Sequence, residues 1–160
     1  MGIQINLRHL EENDLHLAGE IPVAELDLDV IDEMIHLSRP LLFDLTAQRL
    51  ERSVLVQGRL RLDLDCECVR CLKPFQHRID LRQWACHLAL EGEEKVAVVN
   101  DLVDLTPQIR EDIVLAFPQH PLCGPECTGL APLQNSTGEA ADSARKEGPS
   151  PWTALDQLKL

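Results

Sequence analysis

The sequence predicts an α+β fold: a mostly antiparallel, twisted sheet or partial barrel packed on one main helix, with a flexible C-terminal tail. Three observations carry this. Apolar residues alternate with polar ones through residues 41–48 and again through 54–90, the period-2 signature of half-buried strands. One stretch only, about residues 106–117, shows helical spacing together with start and stop residues. After residue 133 large apolar side chains almost vanish until Pro151-Trp152.

Taken in order, Ile3, Ile5 and Leu7 alternate with Gln4, Asn6 and Arg8, and Leu15 and Leu17 continue the period, so the start reads as two half-buried strands around a Glu11–Asp14 turn. Pro22 to Leu26 suits one helical turn with Pro at its start. Across residues 22–37 strand-like alternation (Leu26, Leu28, Val30) competes with helical spacing (Ile31, Met34, Ile35), and pattern alone leaves both open. Leu41, Phe43, Leu45 and Ala47 define a third strand. Val54, Val56, Leu60, Leu62 and Leu64 define the clearest one, whose even phase runs on through Cys66 and Cys68. Beyond the tip, Phe75, Ile79 and Leu81 are apolar at odd positions, whereas Trp84, Cys86, Leu88 and Leu90 are apolar at even ones. A slip of one residue would expose that face, so the change of phase predicts a bulge near Gln83. Cys86 is then most simply a core thiol. Glu91–Glu94 forms a turn and Val96–Val99 a short strand. Thr106 is a suitable N-cap with Pro107 at the first helical position, and Ile109, Ile113, Ala116 and Phe117 form the apolar stripe of the helix that Pro118 ends.

The expected organisation is one domain over residues 1–132, a flexible linker over 133–150 rich in Gly, Ser, Glu, Ala and Asp, and a docking helix over 151–160. Ser150-Pro151 caps that last segment, and Trp152, Leu155 and Leu158 share one face. So short a helix needs a surface to dock on.

Cys68-x-x-Cys71 sits at the hairpin tip, a spacing that lets one tight turn aim two thiolates at a single Zn²⁺ at about 2.3 Å. Cys123-Gly-Pro-Glu-Cys127 lies in a loop-forming run after the helix and completes a candidate tetrahedron, so Cys68, Cys71, Cys123 and Cys127 are the candidate ligands of a structural Zn²⁺. His77 and His120 lie close enough in sequence to replace a ligand, though a structural or surface role suits each better. Unrelated buried thiols and a thiol-redox pair are the alternatives. The redox reading is the weaker one, because an attacking cysteine belongs at a helix N-terminus and here alternating strands flank the motif. No nucleotide-binding, serine-hydrolase or zinc-peptidase signature occurs, and the carboxylates form no recognisable acid/base pair. The reading is therefore non-enzymatic.

No basic start followed by an apolar run precedes residue 20, and no run approaches a membrane span, so the chain is expected to be cytoplasmic and to have no membrane contact. In that reducing compartment six cysteines favour metal or core roles over disulfides. A net charge of −12 opposes broad nucleic-acid binding. The charge is uneven: residues 11–33 hold nine carboxylates and no Lys or Arg, whereas residues 49–82 hold eight of the fifteen basic residues against five acids. Any phosphate contact must come from the cysteine hairpin.

Several of these stretches together resemble the YceD, or large ribosomal RNA subunit accumulation, family of bacteria and plastids. They are Val56-x-Gly58 running into Cys68-Val69-Arg70-Cys71-Leu72 with Pro74-Phe75, then Asp104-Leu105 and Ile109-Arg110-Glu111-Asp112-Ile113. Leu115-Ala116-Phe117-Pro118, Cys123, Cys127, Gly129, Leu130 and Pro151-Trp152-x-x-Leu155-x-x-Leu158 complete the set. The resemblance implies a non-enzymatic role in accumulation of large-subunit (23S-type) rRNA, with an rRNA precursor or assembling ribosomal particle as partner. One departure is that many members carry two more cysteines where this chain has Ala131 and Gln134, which weighs against a site made wholly within the second cluster. Combined with the charge pattern, the expectation is joint recognition. Arg59, Arg61, Arg70 and Lys73 would touch rRNA, the acidic stretch would hold a basic ribosomal or assembly protein, and Trp152, Leu155 and Leu158 would dock. The alternative of another class is a zinc-stabilised protein–protein adaptor unrelated to ribosomes.

Overall fold

Every strand pairing in the computed structural model, which describes residues 2–28 and 33–130, is antiparallel. The strands are β1 (Gln4–Asn6), β2 (Leu15–Ile21), β3 (Ile35–His36), β4 (Leu41–Arg49), β5 (Ser53–Glu67), β6 (Pro74–Ala89), β7 (Val98–Val99) and β8 (Leu102–Asp104), followed by helix α1 (Thr106–Leu115). They form two sheets. The smaller runs β1-β8-β7. The larger is organised on β5, whose one edge pairs with β4 along its first half and with β3 near its end, while β6 follows the whole of the other edge; β2 lies outside β4. The expected mostly antiparallel α+β arrangement with one helix is present, and among the described residues the larger sheet does not close into a barrel.

The alternation along β5 becomes a buried face. Val54, Val56, Leu60, Leu62 and Leu64 are fully buried, and Cys66 and Cys68 continue the row. The predicted bulge is present: Gly58 faces Trp84 and Leu60 faces Leu81, so Arg82 and Gln83 of β6 together oppose Arg59 of β5. The extra residue turns Trp84 and Leu88 back into the core after Ile79 has occupied the other phase. Cys86 is half-buried against the core, and burial pushes its thiol pKa up.

The first two strands are real but do not pair with each other. β1 joins β8, and the connection to β2 carries a 3₁₀ turn at His9–Glu11, which buries Leu10, running into the turn expected over Glu11–Asp14. Within residues 22–37 both readings are in part realised, as a 3₁₀ turn at Val23–Leu26 and the short β3; residues 29–32 lie outside the described residues. Arg110 of α1 secures that turn, its Nε donating to the Leu26 carbonyl at 2.9 Å and its Nη2 to the Asp27 carbonyl at 3.1 Å.

Helix α1 starts as expected but is capped differently. Thr106 is its first residue, not its N-cap, and the Asp104 carboxylate accepts from the Thr106 N–H at 2.9 Å and from its hydroxyl at 2.6 Å. The Thr106 hydroxyl is needed elsewhere, accepting from the Ile3 N–H at 3.1 Å and joining α1 to the first strand. Ile109 and Ile113 are fully buried in the same core as the β5 row. The expected linker over 133–150 and docking helix over 151–160 lie outside the described residues.

Candidate metal centre

The site begins where β5 and β6 part. The Cys68 N–H donates to the Lys73 carbonyl at 3.0 Å and the Leu72 N–H to the Cys68 carbonyl at 2.8 Å, which coils residues 68–73 into a tight tip. Leu72 closes that turn in the left-handed region, with φ +59°. A branched side chain is costly there, and the conformation sends the side chain out to 55% exposure. Val69 and Leu130 are exposed beside it in sequence and across the site.

The loop after α1 folds over this tip. The Val69 N–H donates to the Pro121 carbonyl at 3.0 Å, Arg70 Nη1 donates to the Cys127 carbonyl at 3.4 Å, and the Cys127 N–H donates to the Gly124 carbonyl at 3.3 Å. Gly129, at φ +84°, brings the chain past Arg70. The bonds from Val69 and Arg70 join segments more than fifty residues apart, with Cys68 Sγ 3.7 Å from Cys127 Sγ and Cys71 Sγ 3.7 Å from Cys123 Sγ. All four sulfurs lie within 4.8 Å of one another.

That spacing suits a tetrahedral cation. Four thiolates at about 2.3 Å from a Zn²⁺ have edges of about 3.8 Å, whereas a disulfide needs sulfurs near 2.05 Å. The electrostatics point the same way. The N–H of Cys123, and then those of Cys71 and Arg70, aim at Cys68 Sγ and pull its thiol down to about 6 despite burial. Cys123 is pushed up to about 12, chiefly by its hydrogen bond with the Cys71 sulfur and then by those with Cys127 and Cys68. Without a cation, crowded sulfurs resist further loss of protons; a divalent ion would relieve that repulsion. Cys68 is fully buried, Cys71 and Cys127 half-buried and Cys123 exposed, so the site opens on the loop side. His77 and His120 are not members of the cluster.

The four predicted basic contacts separate into two places. Arg70 and Lys73 are exposed at the tip. Arg59 and Arg61 lie along the outer face of β5, where Arg59 is held by Asp80 through two bonds of 2.7 Å while Arg82 reaches the same carboxylate at 3.0 Å. Arg61 lines a shallow cavity of about 190 Å³ with Leu42, Phe43, Asp44 and Arg59, and its Nε is buried without a hydrogen-bond partner among the described residues. Sequence reasoning missed the Asp80 clamp because Arg82 shares the face of Asp80 by ordinary strand alternation, but the cross-strand neighbour Arg59 is fixed only by the β5–β6 register. It also missed that Val69, Leu72 and Leu130, on the tip and the loop that folds over it, are exposed apolar side chains. Trp152, Leu155 and Leu158 lie outside the described residues, as do Ala131 and Gln134.

Among the described residues no helix is long and apolar enough to cross a membrane. Compared with known proteins, residues 56–159 match the family described as large ribosomal RNA subunit accumulation protein YceD. Uncharacterised proteins of Mycobacterium bovis and of two strains of Mycobacterium tuberculosis are each 31% identical over 97 residues, covering 56% of this chain and 47% of the relative. The chain thus matches about half the length of these curated relatives. No solved structure matches it.

Proposed function

The chain belongs to the large ribosomal RNA subunit accumulation protein YceD family, and from that membership we propose that it is a non-enzymatic assembly factor supporting accumulation of large-subunit (23S) rRNA. The observation that carries the mechanism is the convergence of Cys68, Cys71, Cys123 and Cys127 within 4.8 Å. These four residues would hold a structural Zn²⁺, which supplies cross-linking and no reaction. The protein's own part is to present the tip: with the ion bound, the β5–β6 hairpin and the loop after α1 become one rigid surface carrying Arg70, Lys73, Val69, Leu72 and Leu130.

On this reading rRNA is contacted at the tip, by Arg70 and Lys73 first. Arg59 contributes less, since its charge is already matched by Asp80. A basic ribosomal or assembly protein engages the acidic stretch, and Trp152, Leu155 and Leu158 dock on the assembling particle. The thiol-redox alternative is disfavoured by the burial of Cys68, because the thiol drawn down to about 6 is fully buried and out of reach of a substrate disulfide. The exposed apolar rim is what supports the adaptor alternative, in which the same zinc-held tip binds a protein unrelated to ribosomes.

The deciding experiment is depletion of the protein in its host, followed by quantification of 23S-type rRNA and of large-subunit precursors on sucrose gradients. Loss of 23S rRNA relative to 16S, restored by the wild-type chain and not by a Cys68→Ser, Cys127→Ser variant, is the expected result. Unchanged ribosome profiles with loss of some other complex would favour the adaptor.

A further inference from the structure

Strand β2 is an open edge. It pairs with β4 on one side, and among the described residues nothing pairs with it on the other. The backbone groups on that side can be identified. Leu50 N–H donates to the Ser53 carbonyl and Glu67 N–H to the Met34 carbonyl, so the odd residues of β5 turn their backbone groups towards β4 and β3. Through the registers Asp44↔Arg59 and Gly19↔Phe43, the odd residues of β2 then bond to β4, and His16, Ala18 and Glu20 direct their N–H and C=O groups outward. All three residues are exposed.

Open edges are ordinarily guarded by Lys, Pro, a bulge or a covering element. Leu15-His16-Leu17-Ala18-Gly19-Glu20-Ile21 has neither Lys nor Pro, its seven pairs with β4 run without a bulge, and small residues occupy its centre. What surrounds it is negative charge. Glu11, Glu12 and Asp14 precede it, Glu20 lies within it and Glu25 follows it, all exposed or half-exposed, with no Lys or Arg anywhere from residue 11 to 33. Asp14, immediately before the strand, and Glu20 fall on even positions, while Leu15 and Leu17 on the opposite face are half-buried against the core and leave apolar surface to extend.

We infer that β2 is a strand-addition site for an extended segment of a basic protein that alternates Lys or Arg with apolar residues. Its backbone would bond to His16, Ala18 and Glu20, its basic side chains would lie beside Asp14 and Glu20, and its apolar ones beside Leu15 and Leu17. A second copy fits poorly: antiparallel self-pairing about Ala18 brings Glu11, Glu12 and Asp14 of one chain towards Glu20 and Glu25 of the other. The inference rests on the proposed basic partner for its biological setting, but the site itself needs neither rRNA nor zinc.

The test uses the full chain and two labelled peptides of about ten residues and equal charge, one alternating Lys with Val and one with Pro in place of alternate Val residues so that it cannot add as a strand. Fluorescence anisotropy at low salt should show the Lys-Val peptide binding at least about tenfold more tightly than the proline peptide. Ala18→Pro removes an outward N–H while leaving the β2–β4 bonds, and should reduce that preference to about twofold or less. Should Ala18→Pro unfold, amide exchange on the wild-type chain decides instead: the amides of His16, Ala18 and Glu20 should slow when the Lys-Val peptide is added. Equal binding of both peptides, or no protection of these amides, overturns the inference. So does protection before any peptide is added, which would mean that a second copy or another part of the chain already covers the edge. Strand binding together with normal 23S rRNA after depletion would retain this site and remove the ribosomal reading; the converse result would do the opposite.

Discussion

The indole Nε1 of Trp84 donates to Asp112 Oδ2 at 2.6 Å, so the residue that restarts the core phase after the β6 bulge is fastened to the main helix. Trp84 is 6% exposed, and the pair sits on the wall of an open cavity lined also by Leu115 and Ala116. Asp112→Ala should lower stability by about 1.5–3 kcal/mol, the contribution of a hydrogen bond to a charged group. Asp112→Asn, which keeps an acceptor, should recover most of it. Urea unfolding of the three proteins at neutral pH checks this; equal losses for Ala and Asn would show that charge, not the hydrogen bond, matters there.

Gly58 stands opposite Trp84 on β5, beside the same bulge. A Cβ there would lie 2.0 Å from the Asp44 carbonyl oxygen and 2.8 Å from Leu45 Cα, both backbone atoms of the neighbouring strand. Gly58→Ala must push β4 and β5 apart, and a loss of about 2 kcal/mol or more is expected. A fully folded variant with unchanged urea midpoint would contradict the close approach.

The Asp80 clamp predicts a pH dependence. Arg59, and then Arg82, hold the Asp80 carboxyl well below the usual carboxylate range by hydrogen bonding and charge. A carboxylate depressed in the folded state contributes stability that is complete above its unfolded value, near 3.9, and is lost as pH falls towards its folded value. The gap in urea midpoint between wild type and Asp80→Asn should accordingly be widest at pH 5–7 and close as the pH drops below about 4. A gap that stays constant down to pH 2 would mean that Asp80 contributes through shape alone.

Zinc analysis of protein purified without added metal should find about one equivalent, bound tetrahedrally by sulfur. Cys68→Ser and Cys127→Ser should each lose the metal and loosen the tip and the 118–130 loop together, whereas Cys86→Ser, outside the cluster, should retain it. Zinc well below one equivalent, with four freely titrating thiols in the native protein, would remove the metal from the proposal.

Binding to naked rRNA fragments should be weak and only mildly salt-dependent. Each phosphate neutralised on single-stranded RNA steepens the slope of log K against log salt by about 0.7, so all four candidate basic groups give no more than roughly −3, and Arg70 with Lys73 alone about −1.4. Partly assembled particles should bind more tightly than bare RNA. A slope steeper than about −5 on bare RNA would show that the acidic stretch does not direct partner choice.

Much of this protein is legible from local pattern. Period-2 alternation located β4, β5 and β6, because a sheet with one buried face forces side chains into strict alternation. The change of phase between Leu81 and Trp84 located the bulge, since an extra residue is the one local way to keep both apolar sets inside. Helix α1 followed from its apolar spacing and its bounding prolines. What the local pattern did not contain was partnership. That β1 pairs with β8, across almost a hundred residues, depends on backbone bonds that carry no residue signature, and the short β3 is a strand only because β5 outruns β4 and leaves an edge to pair with. The openness of the larger sheet among the described residues, and with it the edge of β2 left unpaired by them, is likewise a property of closure that no window of sequence contains. The candidate metal site divides along the same line. The C-x-x-C spacing of Cys68 and Cys71 marked one half, because two ligands on one turn are a local matter. That Cys123 and Cys127 arrive to within 4.8 Å, with the N–H groups of Cys123, Cys71 and Arg70 turned towards Cys68, was decided by the packing of α1, which fixes where its following loop must return.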